Sequence, residues 1–250
     1  MAPTHILVIS ATLGYRHDSI PTSIAVLKSH ASSTLAFEFT EEPQPYFESL
    51  STLSRFSTIL FLSSTGPILS EDNLKVLTQY TEDPKHAIIG IHAATVTCQE
   101  SASFNCIFGA SFDYHPDIQS ATVHRTSFGS THPSTKTFPD SVSISDEWYN
   151  FTADPVKAGN RVLLTVDEGT YKEDEEKVKG RLVLDPHPVA WCRGAVGEGE
   201  DGEEGEKGEG RKGPRGRTWY TSLGHTHEIW GDKMFVDHVL DGIKWATRMQ

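Results

Sequence analysis

Cysteine is scarce in this sequence. Its 250 residues include only Cys98, Cys106 and Cys192. The number is odd and no pair has zinc-ribbon spacing, so a disulfide framework is excluded and a reducing compartment, the cytoplasm, is expected. Long apolar runs are also missing, and none approaches the length of a membrane span. The N-terminal MAPTHILVIS has a short apolar run but no basic segment before it, so it reads as a first strand and not a signal peptide. Without a secretory signal, the sequon Asn150-Phe151-Thr152 carries no weight. Positive charge is in short supply, with 22 Lys and Arg against 34 Asp and Glu, a net −12. Nucleic-acid binding wants a basic face, so neither a nucleic acid nor a membrane is expected as partner.

What is present fits an ordinary soluble globular chain, with 37% hydrophobic and 22% charged residues. The length suits one large domain over 1–250 with a sizeable core. HILVIS (5–10), LAFEFTEE (35–42), TILFLSS (58–64) and HAIIGIH (86–92) read as strands. Between them, Ile20, Ile24 and Leu27 have helical spacing, PYFESLSTLSRF reads as a helix, and Ser70 can cap a helix that opens with Glu71 and Asp72. Alternating strands and helices imply a parallel sheet covered by helices, with ligands at the carboxyl ends of the strands. Later, ATVHRTS, RVLLTVDEG (161–169) and RTWYTSLGH (217–225) read as strands. KMFVDHVLDGIKWATRM reads as a helix with Val236, Val239, Leu240 and Ile243 on its apolar stripe.

The segment 195–217 breaks the composition, being rich in Gly and Glu and then briefly basic. It reads as a flexible insertion between two strands. Its GEGEDG matches a dinucleotide-binding pattern, but no helix follows and the acids would repel a pyrophosphate, so no nucleotide cofactor is expected. RKGPRGR reads as charge offset within the loop.

GYRHDSI (14–20), GIHAAT (90–95), DEWYNF (146–151), HPVAWCRG (187–194) and GRTWYTSLGHTHEIW (216–230) together resemble the ThuA-like (trehalose utilisation) family. VLDGIKWA (239–246) extends the resemblance nearly end to end, apart from the insertion. The resemblance implies a flavodoxin-like fold similar to class I glutamine amidotransferases, an α/β three-layer sandwich with a mostly parallel central sheet. Amidotransferases carry a cysteine in a G-x-C-x-G turn. Here the turn is Gly90-Ile91-His92-Ala93-Ala94, and Cys98 lies too far along to replace it. Glutamine hydrolysis through a thioester is therefore not expected. His225 and Glu228 depart from the amidotransferase His-x-Glu spacing, so those roles are not carried over.

The candidate site gathers residues at predicted strand ends. His92, His225 and Glu147 are candidate catalytic residues, and Arg16, His17, Asp146 and Tyr220 candidate substrate-binding residues. Each has a plainer reading. His17 can order its loop, His92 can fill a tight turn, and Asp146 and Glu147 can cap a corner packed by Trp148, Tyr149 and Phe151. Arg16 can bind an anion or pair with a carboxylate. His227, two residues further along, is a weaker member than His225. Asp167 and Glu168 end another strand and have a similar case. Tyr220 and Trp230 can stack on a sugar or belong to the core. His17, His92 and His225 with a carboxylate suffice for a divalent metal, although no H-x-x-x-H spacing is present.

The family resemblance implies an enzyme acting on a sugar or keto-sugar derivative by acid/base isomerisation, elimination or hydrolysis. A small-molecule carbohydrate is the expected partner, and a homodimer is left open. The alternatives are a non-catalytic sugar-binding or regulatory module and a metal-dependent hydrolase of another substrate class.

Overall fold

The computed structural model describes residues 3–173, 175–197 and 213–249. Among these residues, nine strands form one sheet in the order β2-β1-β3-β4-β9-β8-β7-β5-β6. They are β1 (Thr4–Ile9), β2 (Leu35–Thr40), β3 (Thr58–Leu62), β4 (Ala87–Ile91), β5 (Gln119–Arg125), β6 (Ser141–Asp146), β7 (Arg161–Val166), β8 (His187–Arg193) and β9 (Thr218–Thr221). The helices are α1 (Ile20–Ser29), α2 (Leu50–Leu53), α3 (Glu71–Thr81), α4 (Ala102–Phe108), α5 (Glu175–Val178) and α6 (Lys233–Ala246).

Apolar residues on both faces of the strands explain the layering. Along β1, Ile6 and Val8 join one core, and Leu7 and Ile9 the other. The first core takes Leu27 of α1 and Val239 and Ile243 of α6. The second takes Leu53 of α2, Leu77 of α3 and Phe104 and Ile107 of α4. Helices thus cover both faces. Each fully buried Leu, Ile or Phe contributes roughly 1.5–3 kcal/mol. Ser70 caps α3 as expected, through a reciprocal capping box with Asn73.

Several expectations are corrected. The sheet is mixed and not mostly parallel. Strands β2, β1, β3, β4 and β9 pair in parallel, and β8, β7, β5 and β6 continue the sheet antiparallel. PYFESLSTLSRF is not one helix. It divides into a 3-10 turn (Gln44–Phe47) and α2, because Ser49 is extended and caps a new start by accepting the Thr52 N–H. The strand in RTWYTSLGH stops at Thr221, so His225 lies in the loop that follows. Strands β6 and β8 fall in stretches where no strand was expected.

The antiparallel half positions the site. Four successive reversals from β9 to β6 point β6 the same way as β1, β4 and β9. The chain leaving β6 therefore emerges at the same edge as the carboxyl ends of the parallel strands. There it bonds with the segment after α4, through Asp113 N–H to the Asn150 carbonyl and Asn150 N–H to the Tyr114 carbonyl.

The expected insertion at 195–217 lies outside the described residues over 198–212. At its flanks, the Val196 N–H donates to the Arg215 carbonyl, and the Arg215 N–H donates to the Thr81 carbonyl. Among the described residues, no helix is long and apolar enough to cross a membrane.

Candidate functional site

Four segments meet above the carboxyl edge. His17 sits in the loop between β1 and α1, where its carbonyl accepts the Ile20 N–H. His92 follows β4 directly and opens a 3-10 turn (His92–Val96) of small buried residues. Its φ of +54° is left-handed, a conformation that costs a non-glycine residue roughly 1–3 kcal/mol and is typical of functional turns. Gly90, two residues earlier, has no room for a side chain: a Cβ there would lie 2.6 Å from the Phe108 ring. Glu147 follows β6. His225 follows Gly224, whose φ of +127° suits glycine.

One ligand atom from each of His17, His92, Glu147 and His225 lies within 4.8 Å of all the others. His225 Nδ1 is 3.3 Å from His92 Nε2 and 3.2 Å from Glu147 Oε1. His92 Nε2 is 3.4 Å from Glu147 Oε2. A tetrahedral ion with bonds of about 2.1 Å needs donor separations of about 3.4 Å, so these three spacings suit a zinc-like cation.

The supporting bonds aim lone pairs inward. His92 Nδ1 donates to the Ser222 carbonyl at 2.7 Å, which leaves Nε2 as the inward nitrogen of the neutral ring. The Tyr149 hydroxyl lies 3.1 Å from that Nε2 and donates to it only while no cation takes the lone pair. His17 is buried and its Nδ1 has no hydrogen-bond partner, although buried polar atoms are nearly always satisfied. Asp146 does not face the site. Its Oδ2 accepts the Gly224 N–H at 2.9 Å, and its Oδ1 accepts the Glu147 N–H at 2.8 Å and the His225 N–H at 3.3 Å. It therefore fixes the two segments that carry Glu147 and His225.

Electrostatics follow the same arrangement. Burial, reinforced by His92 and His225, pushes His17 down to about 3. Burial also disfavours charge on His225, but the Glu147 hydrogen bond and the charges of Glu147, Asp146 and Asp18 outweigh it and raise the pKa. For Glu147, burial is outweighed by hydrogen bonds from His225 and His92, holding the carboxyl well below its usual range. Burial raises Asp146, opposed by His92 and by the Gly224 and Glu147 N–H groups. The site thus holds a carboxylate among imidazoles.

Three expected members are not brought into this cluster. Arg16 points to Glu41, bonding it at 2.9 and 2.8 Å, so its guanidinium is already paired. Tyr220 is fully buried. Its hydroxyl donates to the His92 carbonyl at 2.8 Å and so supports the turn. Asp146 holds the backbone N–H groups of Glu147, Gly224 and His225. Trp230 is likewise buried, with Nε1 donating to the Gly224 carbonyl at 3.0 Å. Thr22 bonds His227 at 2.9 Å, and Glu168 pairs with Arg181 and His187.

His115 was missed. Its Nε2 lies 3.2 Å from Glu147 Oε1, its side chain is 34% exposed, and its Nδ1 donates to the Pro116 carbonyl at 2.7 Å. Nothing in DYHPD marks that histidine, because the contact depends on how the segments after α4 and β6 meet. The role of the Tyr149 hydroxyl was missed for the same reason.

Two solved structures share the fold. A ThuA-like protein from Bacteroides uniformis superposes with a TM-score of 0.72 at 18% identity, covering 98% of this chain and 92% of that one. A ThuA-like protein from Parabacteroides merdae gives 0.69 at 17% identity, covering 98% and 90%. No curated protein matches the chain in sequence. The family model for ThuA, trehalose utilisation, matches residues 5–246, and the chain belongs to that family.

Proposed function

We propose that this chain is a carbohydrate-processing enzyme acting on a sugar or keto-sugar derivative, with a divalent cation held by His17, His92, Glu147 and His225. The observation that carries this is the convergence of their donor atoms within 4.8 Å, with His17 Nδ1 unpartnered. A proton on His225 Nδ1 can bridge to His92 or Glu147, but it leaves the buried His17 nitrogen unsatisfied. A cation meets all four donors. Family membership supports a carbohydrate substrate, and the helix-covered parallel strands agree with the flavodoxin-like sandwich of amidotransferase type.

Bound there, the cation would polarise a substrate carbonyl or activate a water. The chain's own groups set the rest. The Ser222 carbonyl fixes the tautomer of His92, and Asp146 holds the His225 loop against Glu147. His115, partly exposed and in contact with Glu147, links the carboxylate to solvent and can relay a proton. A C–H next to a ketone is acidic enough for such groups to remove, leading to isomerisation or loss of a glycosidic leaving group. The thiolate of glutamine hydrolysis has no counterpart at His92.

The test is turnover of keto-sugars and keto-glycosides by protein loaded with Zn²⁺, Mn²⁺ or Co²⁺, followed by NMR. Wild-type conversion, lost in His92→Ala and His225→Ala together with the metal, is expected. Unchanged turnover in both variants would sink the assignment. Tight sugar binding without conversion would instead make the chain a binding module. Turnover confined to esters or amides would make it a hydrolase of another class.

A further inference from the structure

The loop from Ala11 to Ser19 does more than deliver His17. Its backbone is clamped to the loop after β3. The Leu13 N–H donates to the Thr65 carbonyl at 2.9 Å, and Thr65 Oγ1 donates to the Tyr15 carbonyl at 2.8 Å. Gly14 lies against Thr65, where a Cβ would sit 3.3 Å from Oγ1. Ser19 ties the other end of the loop to the Gly224 carbonyl at 3.2 Å.

This rigid loop holds two large apolar side chains in solvent, Leu13 at 68% exposure and Tyr15 at 65%. The Tyr15 ring meets the His17 ring edge-on, with centroids 4.9 Å apart, and His17 meets His92 at 4.5 Å. Tyr15 therefore packs directly on one candidate metal donor, His17, whose ring in turn meets His92. Exposing an aromatic ring beside a reactive centre, on a backbone with little freedom, preorganises it for contact with a ligand. The aromatics first considered for stacking, Tyr220 and Trp230, are buried and unavailable.

We infer that Tyr15, with Leu13 beside it, is the platform for a second ring of a glycoside substrate whose first ring reaches the His17, His92, Glu147 and His225 cluster. This rests on the carbohydrate reading above. A pyranose presents a C–H face that packs on an aromatic ring while its hydroxyls stay in water. Among the described residues Tyr15 meets the His17 ring and neither of the other donor imidazoles, which puts it at the outer side of the cluster, beside the neighbouring sugar and not beside the reacting carbon. The favoured substrate is then a two-ring glycoside or a glycoside with a flat aglycone, and not a free monosaccharide.

The experiment is calorimetric titration of Zn²⁺-loaded protein with a keto derivative of trehalose and with the matching keto-glucose. Wild type, Tyr15→Ala, Tyr15→Phe and Leu13→Ala are compared, with metal content and melting temperature measured for each. Tyr15→Ala should weaken the disaccharide roughly tenfold and leave the monosaccharide nearly unchanged. Tyr15→Phe should keep wild-type affinity. Metal content and melting should not move, since the side chain is mostly in solvent. If Tyr15→Ala binds the disaccharide as wild type does, the platform is overturned and the carbohydrate reading survives. Equal loss for both sugars would put Tyr15 on the reacting ring and overturn the two-ring assignment. If the loaded wild-type protein binds neither sugar, the carbohydrate reading falls and takes the platform with it.

Discussion

Replacing Asp146 by Asn tests whether the site is held from behind. The side chain is fully buried, and both oxygens accept backbone N–H groups from Gly224, Glu147 and His225. Asparagine keeps the shape but turns one acceptor into a donor. With the amide nitrogen toward Gly224, that N–H faces another donor and loses its partner. With the opposite rotamer, the Glu147 and His225 N–H groups lose theirs. An unsatisfied buried N–H costs roughly 1–3 kcal/mol, and charge assistance to the remaining bonds is lost as well, so the total is about 3 kcal/mol. For a chain of this size that is about 6–12 °C in Tm. Because the disturbed N–H groups belong to Glu147, His225 and the residue before His225, metal affinity should fall roughly 10- to 100-fold. Scanning calorimetry and competitive Zn²⁺ titration read the two effects. A variant within about 0.5 kcal/mol of wild type that binds Zn²⁺ equally well would refute the idea that Asp146 positions the centre.

Gly90→Ala should destabilise the protein by about 1–3 kcal/mol in urea unfolding, since its Cβ would meet Phe108 at 2.6 and 2.7 Å and Tyr220 at 2.9 Å. An unchanged midpoint would mean that the turn before His92 has slack. Acid should destabilise the fold through His132 and His238, which burial pushes down to about 3 and about 4. Below about pH 6.5 the unfolded chain takes up protons that the folded chain refuses, so stability falls from pH 6.5 toward 4, by about 2 kcal/mol for each histidine at pH 5. Urea midpoints at pH 7 and pH 5 check this, and equal midpoints would contradict it. Incubation with glutamine should release no ammonia, in keeping with a histidine where the amidotransferase turn has cysteine. Measurable glutaminase activity would reverse that conclusion.

The parallel half of the sheet was legible because its strands are buried on both faces and read as continuous apolar runs, as in TILFL and AIIGI. The antiparallel half was less so. Strand β6 does alternate exposed Ser with half-buried or buried Val and Ile, but the pattern is short, has only two apolar residues and directly follows a Pro/Ser/Thr-rich loop, while β8 is buried throughout and opens with His-Pro, so neither stands out in the sequence. The strand-end rule, together with the family motifs, brought out His17, His92, Glu147 and His225. It could not separate residues that join the cluster from neighbours that do not. Asp146 precedes Glu147 by one position, which sends its side chain into the backbone of the Gly224 loop. Tyr220 belongs to a strand buried on both sides, so its hydroxyl meets the His92 carbonyl and not solvent. His115 joins through a loop-to-loop contact that no local pattern encodes.

The most direct test of the central claim is X-ray absorption at the metal edge of the Zn²⁺-loaded protein. The account predicts one tightly held ion per chain, with a shell of imidazole nitrogens and one carboxylate oxygen at about 2.0–2.1 Å, and loss of that ion in His92→Ala. A protein that retains no stoichiometric metal after loading, or a metal shell unchanged in His92→Ala, would contradict it.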